Sequence, residues 1–440
     1  MIKTFRLLAI LPILLLSGCL NNATSVRTFY PTSTAKITDE PFVGSIETTK
    51  PGNNPGSLSE TISIANTPYP SPIFTPEHNT GVIQNCITVK PELPIQYKFT
   101  GKLAFETLPP QKENVYTFLD LSSRETTEVP GRKLAFFSVS PNRTMYAYKD
   151  WDENQLIVYE SDGRIVKTLP WKKDWGSIDG WIDNQHLIIV MAVIDVPGFV
   201  KYPRAITILD PFENVEIFLD PDYPNIDTGN TNASWARMGT TAYNPSLTRV
   251  VYPGIVENPP SDGYQGFILY GIPEKAKLAE FGNPDWAHQE PSWSPDGSKL
   301  LLLVDREFYI VSPDGIPEII TQMNPLEGKR SYTAEFYSWS PDNMKIAFWL
   351  LSYETHEISL ALLDAKTGMI TDTCIRAGFD QNNYITFPYP VWSEDGTSLV
   401  IAANYSKDLP GNDVMIVDLA EYTAFTITKN LSPVGWLENP

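Results

Sequence analysis

The sequence predicts an all-β protein, a β-propeller of four-stranded antiparallel blades. The first observation is a phrase that reads Trp-Ser-Pro-Asp-Gly at residues 293–297 and recurs, with small changes, at 339–343 and 392–396. Weaker copies begin near Ser138 and Ala242. The second observation is an apolar run at a fixed offset after each copy, which is typical of a propeller repeat. The third is that the two ends of the repeat region complete each other.

The Ser-Pro-Asp-Gly part of the phrase predicts a tight turn. Proline sets φ at about −65° for the second turn position, aspartate suits the third, and glycine supplies the positive φ that closes the hairpin. The run Leu300–Val304 is apolar at every position, which indicates a strand covered on both faces by neighbouring sheets. Residues 308–311 and 318–321 then supply the third and fourth strands of one blade.

The same pattern extends over the rest of the chain. It predicts inner strands near residues 136–139, 178–182, 240–243, 291–293, 336–339 and 389–392. Residues 431–436 look like a further inner strand with nothing after it, and residues 101–105, 115–121 and 126–129 look like three strands with no inner strand before them. If both termini build one blade, the ring has seven blades and no open sheet edge at the closure; six blades is the alternative.

The repeated motif resembles the TolB-like, WD-repeat-like propeller family, in which each blade carries a Trp-Ser-Pro-Asp-Gly core. The resemblance covers residues 100–437. It implies the fold, and it implies little about the ligand, because propellers are scaffolds whose function lies in their loops.

The N-terminus predicts a targeting segment rather than part of the fold. Lys3 and Arg6 precede an apolar stretch at residues 7–16 that is too short to span a bilayer. The sequence Leu-Ser-Gly-Cys ending at Cys19 is similar to a bacterial lipoprotein box. This resemblance implies a signal peptide over residues 1–18 and a lipid anchor on Cys19; the alternative is an ordinary signal peptide with an unrelated cysteine.

Residues 19–83 predict a flexible tether, because they contain eight prolines and many serine, threonine and asparagine residues and cannot bury a core. The propeller is then expected over residues 84–440. Leu20 is not an aspartate retention signal, so the expected location is extracytoplasmic, on the outer membrane if the cell has two membranes.

Two cysteines remain after Cys19. Because an exported chain with two such residues tends to pair them, we expect a disulfide between Cys86 and Cys374, with two buried thiols as the alternative. The formal net charge of −19 argues against nucleic acid and anionic lipid as partners. Membrane contact is therefore expected through the lipid anchor only.

A candidate binding face follows from the predicted topology. Loops between second and third strands, and between the fourth strand and the next blade, share one end of the propeller, here called the long-loop face; tight turns occupy the other end, the tight-turn face. Aromatic and polar side chains predicted on the long-loop face would suit a sugar or a peptide; they are Trp151, Trp171, Trp175, Trp235, Trp286, His288, Tyr332 and Tyr384. The alternative is that these side chains pack between blades.

The sequence contains no catalytic signature, so no catalytic residue, metal site or cofactor is predicted. It lacks a G-x-S-x-G elbow, an H-E-x-x-H helix and a glycine-rich phosphate loop. The favoured hypothesis is a non-catalytic propeller that binds a protein or a glycan through the long-loop face. One alternative is an enzyme that degrades extracellular polysaccharide or peptide, with Asp285 or Glu290 at the channel mouth. Another is a subunit of a cell-envelope assembly. The sequence predicts no oligomeric state.

Overall fold

The structure is a computed structural model in which strands and turns form seven sheets. It describes residues 81–94, 99–107, 116–129, 134–191, 206–219, 242–255, 265–281, 290–304, 306–324, 331–377, 388–403 and 413–438. The predicted signal peptide, Cys19 and nearly all of the predicted tether lie outside these residues.

Each sheet is one blade, and the strands of the first four blades follow the chain. Two short strands come first, β1 (Val82–Gln84) and β2 (Thr88–Lys90). Blade 1 contains β3 (Lys102–Thr107), β4 (Tyr116–Asp120) and β5 (Thr126–Glu128). Blade 2 contains β6 (Leu134–Val139), β7 (Met145–Asp150), β8 (Gln155–Glu160) and β9 (Ile165–Pro170). Blade 3 contains β10 (Trp175–Trp181), β11 (Leu187–Met191), β12 (Ile206–Asp210) and β13 (Val215–Leu219). Blade 4 contains β14 (Ala242–Tyr243), β15 (Arg249–Ile255), β16 (Gln265–Gly271) and β17 (Ala276–Phe281).

The last three blades repeat this order. Blade 5 contains β18 (Ser292–Trp293), β19 (Leu300–Val304), β20 (Glu307–Val311) and β21 (Pro317–Ile320). Blade 6 contains β22 (Tyr332–Trp339), β23 (Lys345–Ser352), β24 (Ile358–Asp364) and β25 (Ile370–Ala377). Blade 7 contains β26 (Val391–Trp392), β27 (Ser398–Ala403), β28 (Asp413–Asp418) and β29 (Thr423–Lys429). The final strand, β30 (Leu431–Leu437), returns to blade 1.

The predicted closure is confirmed. β30 pairs with β3 in antiparallel register, from Lys102 opposite Leu437 to Thr107 opposite Leu431. Blade 1 therefore takes its inner strand from the C-terminus and its other three strands from the N-terminal part of the propeller. The fold is a seven-bladed β-propeller, which removes the alternative of six blades.

The turns after the inner strands share one hydrogen-bond network. In blade 5, Ser294 Oγ donates to the carboxylate of Asp296 at 2.7 Å, and that carboxylate accepts the backbone N–H of Ser298 at 2.9 Å. The backbone N–H of Lys299 then donates to Ser294 Oγ at 3.0 Å and starts the next strand. The same bonds recur in blades 6 and 7, around Ser340–Asp342 and Ser393–Asp395.

A positive φ closes these turns whether or not glycine is present. Gly297 and Gly396 have φ of 71° and 66°. Where glycine is replaced, the same position is occupied by Arg143, Leu247 and Asn343, with φ of 60°, 53° and 60°. These side chains are held in a region that non-glycine residues rarely adopt, so the turn network outweighs the local preference.

Apolar cores lie between the blades rather than within one central core. A separate cluster fills each of the seven interfaces between neighbouring blades, including the closing interface between blades 7 and 1. Every residue of β19 is buried, as expected for a strand covered on both faces.

The inner-strand tryptophans link successive blades. The indole N–H of Trp339 in blade 6 donates to the carbonyl oxygen of Ser292 in blade 5 at 3.2 Å, and that of Trp392 in blade 7 donates to Ser338 in blade 6 at 3.2 Å. Trp181 and Trp293 make the equivalent bonds to the preceding blades. These side chains are therefore structural, because each fixes one inner strand against the next.

The N-terminal segment forms two strands that the sequence did not predict. β1 adds to β25 at the outer edge of blade 6, and β2 adds to β29 at the outer edge of blade 7, both in parallel register. β1 begins at Val82, two residues before the predicted propeller boundary at residue 84. Cys86 lies between the two strands and is disulfide-bonded to Cys374 of β25, with Cα atoms 4.9 Å apart. The segment is thus fixed across two blade edges before it enters blade 1.

Candidate binding face

The described strand ends divide the propeller into two different faces. At the tight-turn face, short turns join first to second strands and third to fourth strands, for example residues 294–299 and 312–316. At the long-loop face, the described connections include residues 151–154, 171–174 and 353–357. Longer segments that start and end at this face lie outside the described residues; they include 108–115, 192–205, 220–241, 256–264, 282–289, 325–330, 378–387 and 404–412.

Trp151 is the predicted site residue that the structure exposes. It follows β7 at the long-loop face and is 49 % exposed. The ammonium group of Lys149 lies 3.3 Å from the centre of the Trp151 ring and 4.4 Å from that of Trp171. Lys149 itself is 4 % exposed, so its charge is enclosed between two indoles. This arrangement holds the exposed indole in place through cation–π contacts.

Desolvation by the surrounding protein lowers the pKa of Lys149 from its usual value. Among the described residues, no acidic side chain contributes to that shift. The aromatic faces therefore provide the favourable environment for this ammonium group.

Phe136 completes the aromatic group under Trp151. Its ring centre lies 6.2 Å from those of both Trp151 and Trp171, and it is stacked on Trp171 at an interplanar angle of 18°. The pairing of β6 with β7 shifts register between Ala135 and Ser138, and Phe136 has a φ of 58°. A β-bulge at the inner strand therefore directs this ring, at the cost of an unfavourable backbone conformation.

Trp171 and Trp175 are buried, in contrast to Trp151. They are 7 % and 4 % exposed and form an edge-to-face pair with ring centres 5.4 Å apart. The indole N–H of Trp171 donates to the carbonyl oxygen of Trp175 at 3.1 Å, whereas Trp175 Nε1 has no acceptor among the described residues. Lys172 lies over the Trp175 ring at 5.7 Å and is ion-paired to Glu216. Trp171 therefore packs beneath Lys149 and Phe136, and Trp175 packs against Trp171.

Tyr332 has a local structural role. It begins the inner strand of blade 6, is half-buried, and packs against the core between blades 5 and 6. Its backbone N–H donates to the side chain of Asn324 at 2.8 Å. The remaining predicted site residues, Trp235, Trp286, His288 and Tyr384, lie outside the described residues, so their place on this face stays a prediction.

Lys149 and Phe136 belong to the Trp151 group but were not predicted from the sequence. Phe136 stands four residues before Ser140 of its turn, and Phe336 stands four residues before Ser340, so the repeated aromatic offset could have indicated it. Lys149 occupies a strand position with no unusual local pattern. Its role depends on Trp171, which is distant in the sequence.

Glu307 lies at this face and has a raised carboxyl pKa, which can mark a functional site. Its contacts are nevertheless structural. Burial raises the pKa, and hydrogen bonds from Met323, Asn324 and Thr321 oppose that shift. The carboxylate accepts the backbone N–H groups of Met323 and Asn324 at 2.6 and 2.8 Å. It therefore ties the loop after blade 5 to β20. Of the two acids in the enzyme hypothesis, Glu290 is described and precedes β18, and Asp285 lies outside the described residues.

Within the described stretches, no group of three or more His, Cys, Asp or Glu side chains is arranged to hold a metal ion. The same stretches contain no helix long and apolar enough to cross a membrane.

No protein family model matches the sequence, and no curated protein sequence matches it. Similar solved structures include TolB from Acinetobacter baumannii, at 12% identity over 77% of this chain and 67% of that chain, with a TM-score of 0.39. They also include the Cps50 (Swd1) β-propeller domain of Myceliophteria thermophila, at 11% identity over 66% and 88% of the two chains, with a TM-score of 0.42. Hydrazine synthase of Kuenenia stuttgartiensis matches at 14% identity over 67% and 78%, with a TM-score of 0.39. Values this low carry no argument about function, so the propeller fold rests on the strand pairing itself.

Proposed function

We propose that this chain is a non-catalytic binding protein of the bacterial cell envelope, anchored by a lipid on Cys19, that recognises a glycan or a protein through its long-loop face. The seven-bladed ring supports this proposal because it is a rigid scaffold that presents many loops at one end. The N-terminal strands β1 and β2 support it as well. Because they pair with the outer strands of blades 6 and 7, a preceding tether would join the propeller at its edge.

One observation carries the proposal, which is the half-exposed Trp151 above the enclosed ammonium group of Lys149. Flat indole surfaces stack well on sugar rings and on peptide side chains, and the polar edge of the ring can donate a hydrogen bond. Because Lys149, Phe136 and Trp171 hold the ring from beneath, little ordering entropy remains to be lost when a ligand binds. A preorganised aromatic platform of this kind favours binding.

The test is a panel of bacterial and plant glycans added to the full-length chain, with thermal stability and release of shortened sugars recorded together. We expect one glycan class to stabilise the protein with saturation and without product. Trp151→Ala should lower its affinity by at least about tenfold, because a central tryptophan often dominates a binding surface.

The matched control is Tyr422→Ala. Tyr422 is also exposed, at 41 %, but it lies in the turn between β28 and β29 on the tight-turn face. Its substitution should leave glycan affinity unchanged. Equal losses in both variants would contradict the assignment of the long-loop face, and product release would replace the binding hypothesis by the enzymatic one. If no glycan stabilises the protein, the ligand is expected to be a protein. Binding of the same two variants to envelope proteins is then measured.

A further inference from the structure

A cavity lies at the outer rim of the closing interface, between blades 7 and 1. Its volume is about 330 Å³, at the lower end of the range of about 300–1,000 Å³ that is typical of ligand pockets. Blade 1 contributes residues of β3, β4 and β5 to the wall, blade 7 contributes residues 426–428 of β29, and the segment after β2 contributes Glu92 and Leu93. The cavity is separate from the Trp151 group, which belongs to blade 2.

The short outer strand of blade 1 explains why space remains here. β5 has three residues, Thr-Thr-Glu, and all three are exposed. It therefore adds no apolar side chain to the cluster between blades 7 and 1. Leu119, Ile427 and Leu431 are partly buried against that cluster, and all three line the cavity. The base of the cavity is thus apolar.

The strand register places threonine side chains on the wall of the cavity. Thr126 pairs with Leu119 on blade 1, and Thr428 pairs with Val414 on blade 7. Leu119 and Val414 both pack in the cluster between these two blades. Residues that pair across neighbouring strands lie on the same face of a sheet, so Thr126 faces blade 7 and Thr428 faces blade 1. The cavity therefore combines an apolar base with hydroxyl groups at its sides.

At the neighbouring interface, the chain fills the outer rim with a segment of its own. Between β1 and β2, the backbone N–H of Ile87 donates to the carbonyl oxygen of Thr373 in blade 6 at 2.9 Å. The Ile87 side chain is 6 % exposed and packs in the cluster between blades 6 and 7. The flanking strands β1 and β2 pair with the two blades through three residues each. In this fold, a short extended segment with one apolar anchor is therefore sufficient to occupy the rim between two blades.

A similar strand edge continues beside the cavity. β2 pairs with residues 423–425 of β29, and β29 continues to Lys429. The chain after β2 then crosses toward blade 1, where the guanidinium group of Arg124 donates to the carbonyl oxygen of Leu93 at 3.0 Å. Residues 426–428 lie beyond the described pairing of this edge and line the cavity. A strand added here would direct alternate side chains toward the cavity, which is how added strands are recognised at sheet edges.

We propose that the cavity between blades 7 and 1 binds a large aliphatic or aromatic side chain of an extended partner segment, which adds as a short strand to residues 426–428 of β29. The position of Ile87 between blades 6 and 7 supports an apolar anchor. The net charge of −19 favours a partner segment with basic residues beside that anchor. This inference goes beyond the proposed long-loop binding face and does not depend on Trp151. It adds a second interaction surface at the side of the ring.

The experiment titrates the full-length chain with peptides of the form acetyl-Lys-Thr-Thr-X-Thr-Thr-Lys-amide, in which X is leucine, phenylalanine or threonine. The threonine peptide is the matched analogue, because it keeps the charge and the preference for an extended backbone but lacks the apolar anchor. Calorimetry or ligand-observed NMR up to about 10 mM is appropriate because ligands of this size bind weakly. We expect the leucine or the phenylalanine peptide to bind with saturation. The threonine peptide should bind at least about tenfold more weakly, because it buries much less apolar surface.

Two variants locate the site. Thr126→Trp and Thr428→Trp place an indole in the cavity from blade 1 and from blade 7, and each should weaken the better peptide by at least about tenfold. Thr127→Trp is the matched control, because Thr127 pairs with Phe118 and so faces blade 2. It should leave the affinity unchanged, as should Trp151→Ala. An unchanged thermal unfolding curve shows that each variant is folded.

Methyl β-glucoside is titrated in parallel, because hydroxyl groups on the cavity wall also suit a sugar unit. The proposal is overturned if neither the leucine nor the phenylalanine peptide binds, if the threonine peptide binds equally well, or if both cavity variants retain the wild-type affinity. If only the glucoside binds, and Thr126→Trp prevents it, the cavity is a sugar site and the peptide proposal is wrong.

Discussion

The guanidinium group of Arg143 donates a hydrogen bond of 2.6 Å to the backbone carbonyl oxygen of Trp392. Arg143 belongs to blade 2 and Trp392 to blade 7, with blade 1 between them in the ring. The backbone of Arg143 also accepts the N–H of Glu438 at 2.9 Å, just after β30. Arg143 therefore bridges the blade that both chain termini build together.

Replacing Arg143 should weaken this closure. Burial lowers the pKa of its guanidinium group, while the charges of Glu394, Glu438 and Asp395 oppose that shift. Arg143→Met would remove the bond to Trp392 and leave these carboxylates without their cation. We expect the free energy of unfolding to fall by about 2 kcal/mol, measured by denaturant titration, because hydrogen bonds to charged groups contribute about 1.5–3 kcal/mol.

Arg164→Met is the matched control. Arg164 lies in the same blade and pairs with Glu160 on the surface, so its loss should change the denaturation midpoint little. If both variants unfold at the wild-type midpoint, Arg143 does not secure the closing blade.

Removal of the disulfide should loosen the N-terminal strands. The bond joins Cys86 to Cys374 over a separation of 288 residues, so it restricts a large part of the unfolded chain. Reduction, or a Cys86→Ser/Cys374→Ser double variant, should cost about 2–5 kcal/mol in thermal unfolding and speed proteolysis near residues 81–94. The double variant should not respond to reductant. A wild-type protein that keeps its melting temperature under reductant would contradict this role.

The fold was predictable where the signal is local. Pro295 and Gly297 specify a turn by their own backbone preferences, and the all-apolar run Leu300–Val304 specifies a strand covered on both faces. The closure of β30 on β3 was also predictable, because each end lacked the strand that the other supplies.

The remaining elements depend on distant partners. β1 and β2 are three-residue strands with no periodic pattern, and they exist because the edges of β25 and β29 accept their hydrogen bonds. Likewise, nothing near Lys149 in the sequence indicates that Trp171 will lie over its ammonium group. The burial of Trp171 and the exposure of Trp151 could not be separated by sequence alone.

The turn aspartates should make stability fall in acid. Partial desolvation raises the pKa of Asp296, but hydrogen bonds from Ser298 and Ser294 lower it by more, so the folded pKa lies below the usual value. A lowered pKa stabilises the fold above about pH 4, and this contribution is lost as the pH falls through the folded value. Because the turn is partly exposed, we expect less than about 1 kcal/mol at this site.

Asp296→Asn tests that dependence. The chain itself shows that asparagine can fill the position, since Asn142 accepts the equivalent bonds in blade 2. The variant should be slightly less stable than wild type at pH 7, and the difference in urea midpoint should vanish by about pH 3. Asp314→Asn is the control, because that carboxylate is 76% exposed in a similar turn and its ion pair with Arg249, at 3.4 Å, should contribute little. A difference that grows as the pH falls would have the wrong sign.

Cys19 should carry the membrane anchor. Cys19→Ser in the full-length chain is expected to abolish incorporation of a labelled fatty acid and to move the protein from the membrane fraction to the soluble fraction. Cys86→Ser should leave both measurements unchanged, because that cysteine is disulfide-bonded in the propeller. A lipid label that persists without Cys19 would exclude this residue as the anchor.

Lys149 should support ligand binding without contacting the ligand. Its ammonium group lies 3.3 Å from the Trp151 ring, whereas its side chain is almost fully buried. Lys149→Met should weaken any glycan that depends on Trp151 by about three- to tenfold, since a cation–π contact contributes about 0.5–2 kcal/mol. Overall stability should change less, because the variant also loses the cost of a desolvated charge.

The pH dependence separates this role from simple packing. The folded pKa of Lys149 lies below its usual value because of desolvation, so rising pH deprotonates it earlier than an exposed lysine. Glycan affinity of the wild-type protein should therefore decline toward alkaline pH and approach that of Lys149→Met, whose affinity should stay level over the same range. Parallel curves for the two proteins would mean that the charge of Lys149 does not hold Trp151, and that the ring is fixed by Phe136 and Trp171 alone.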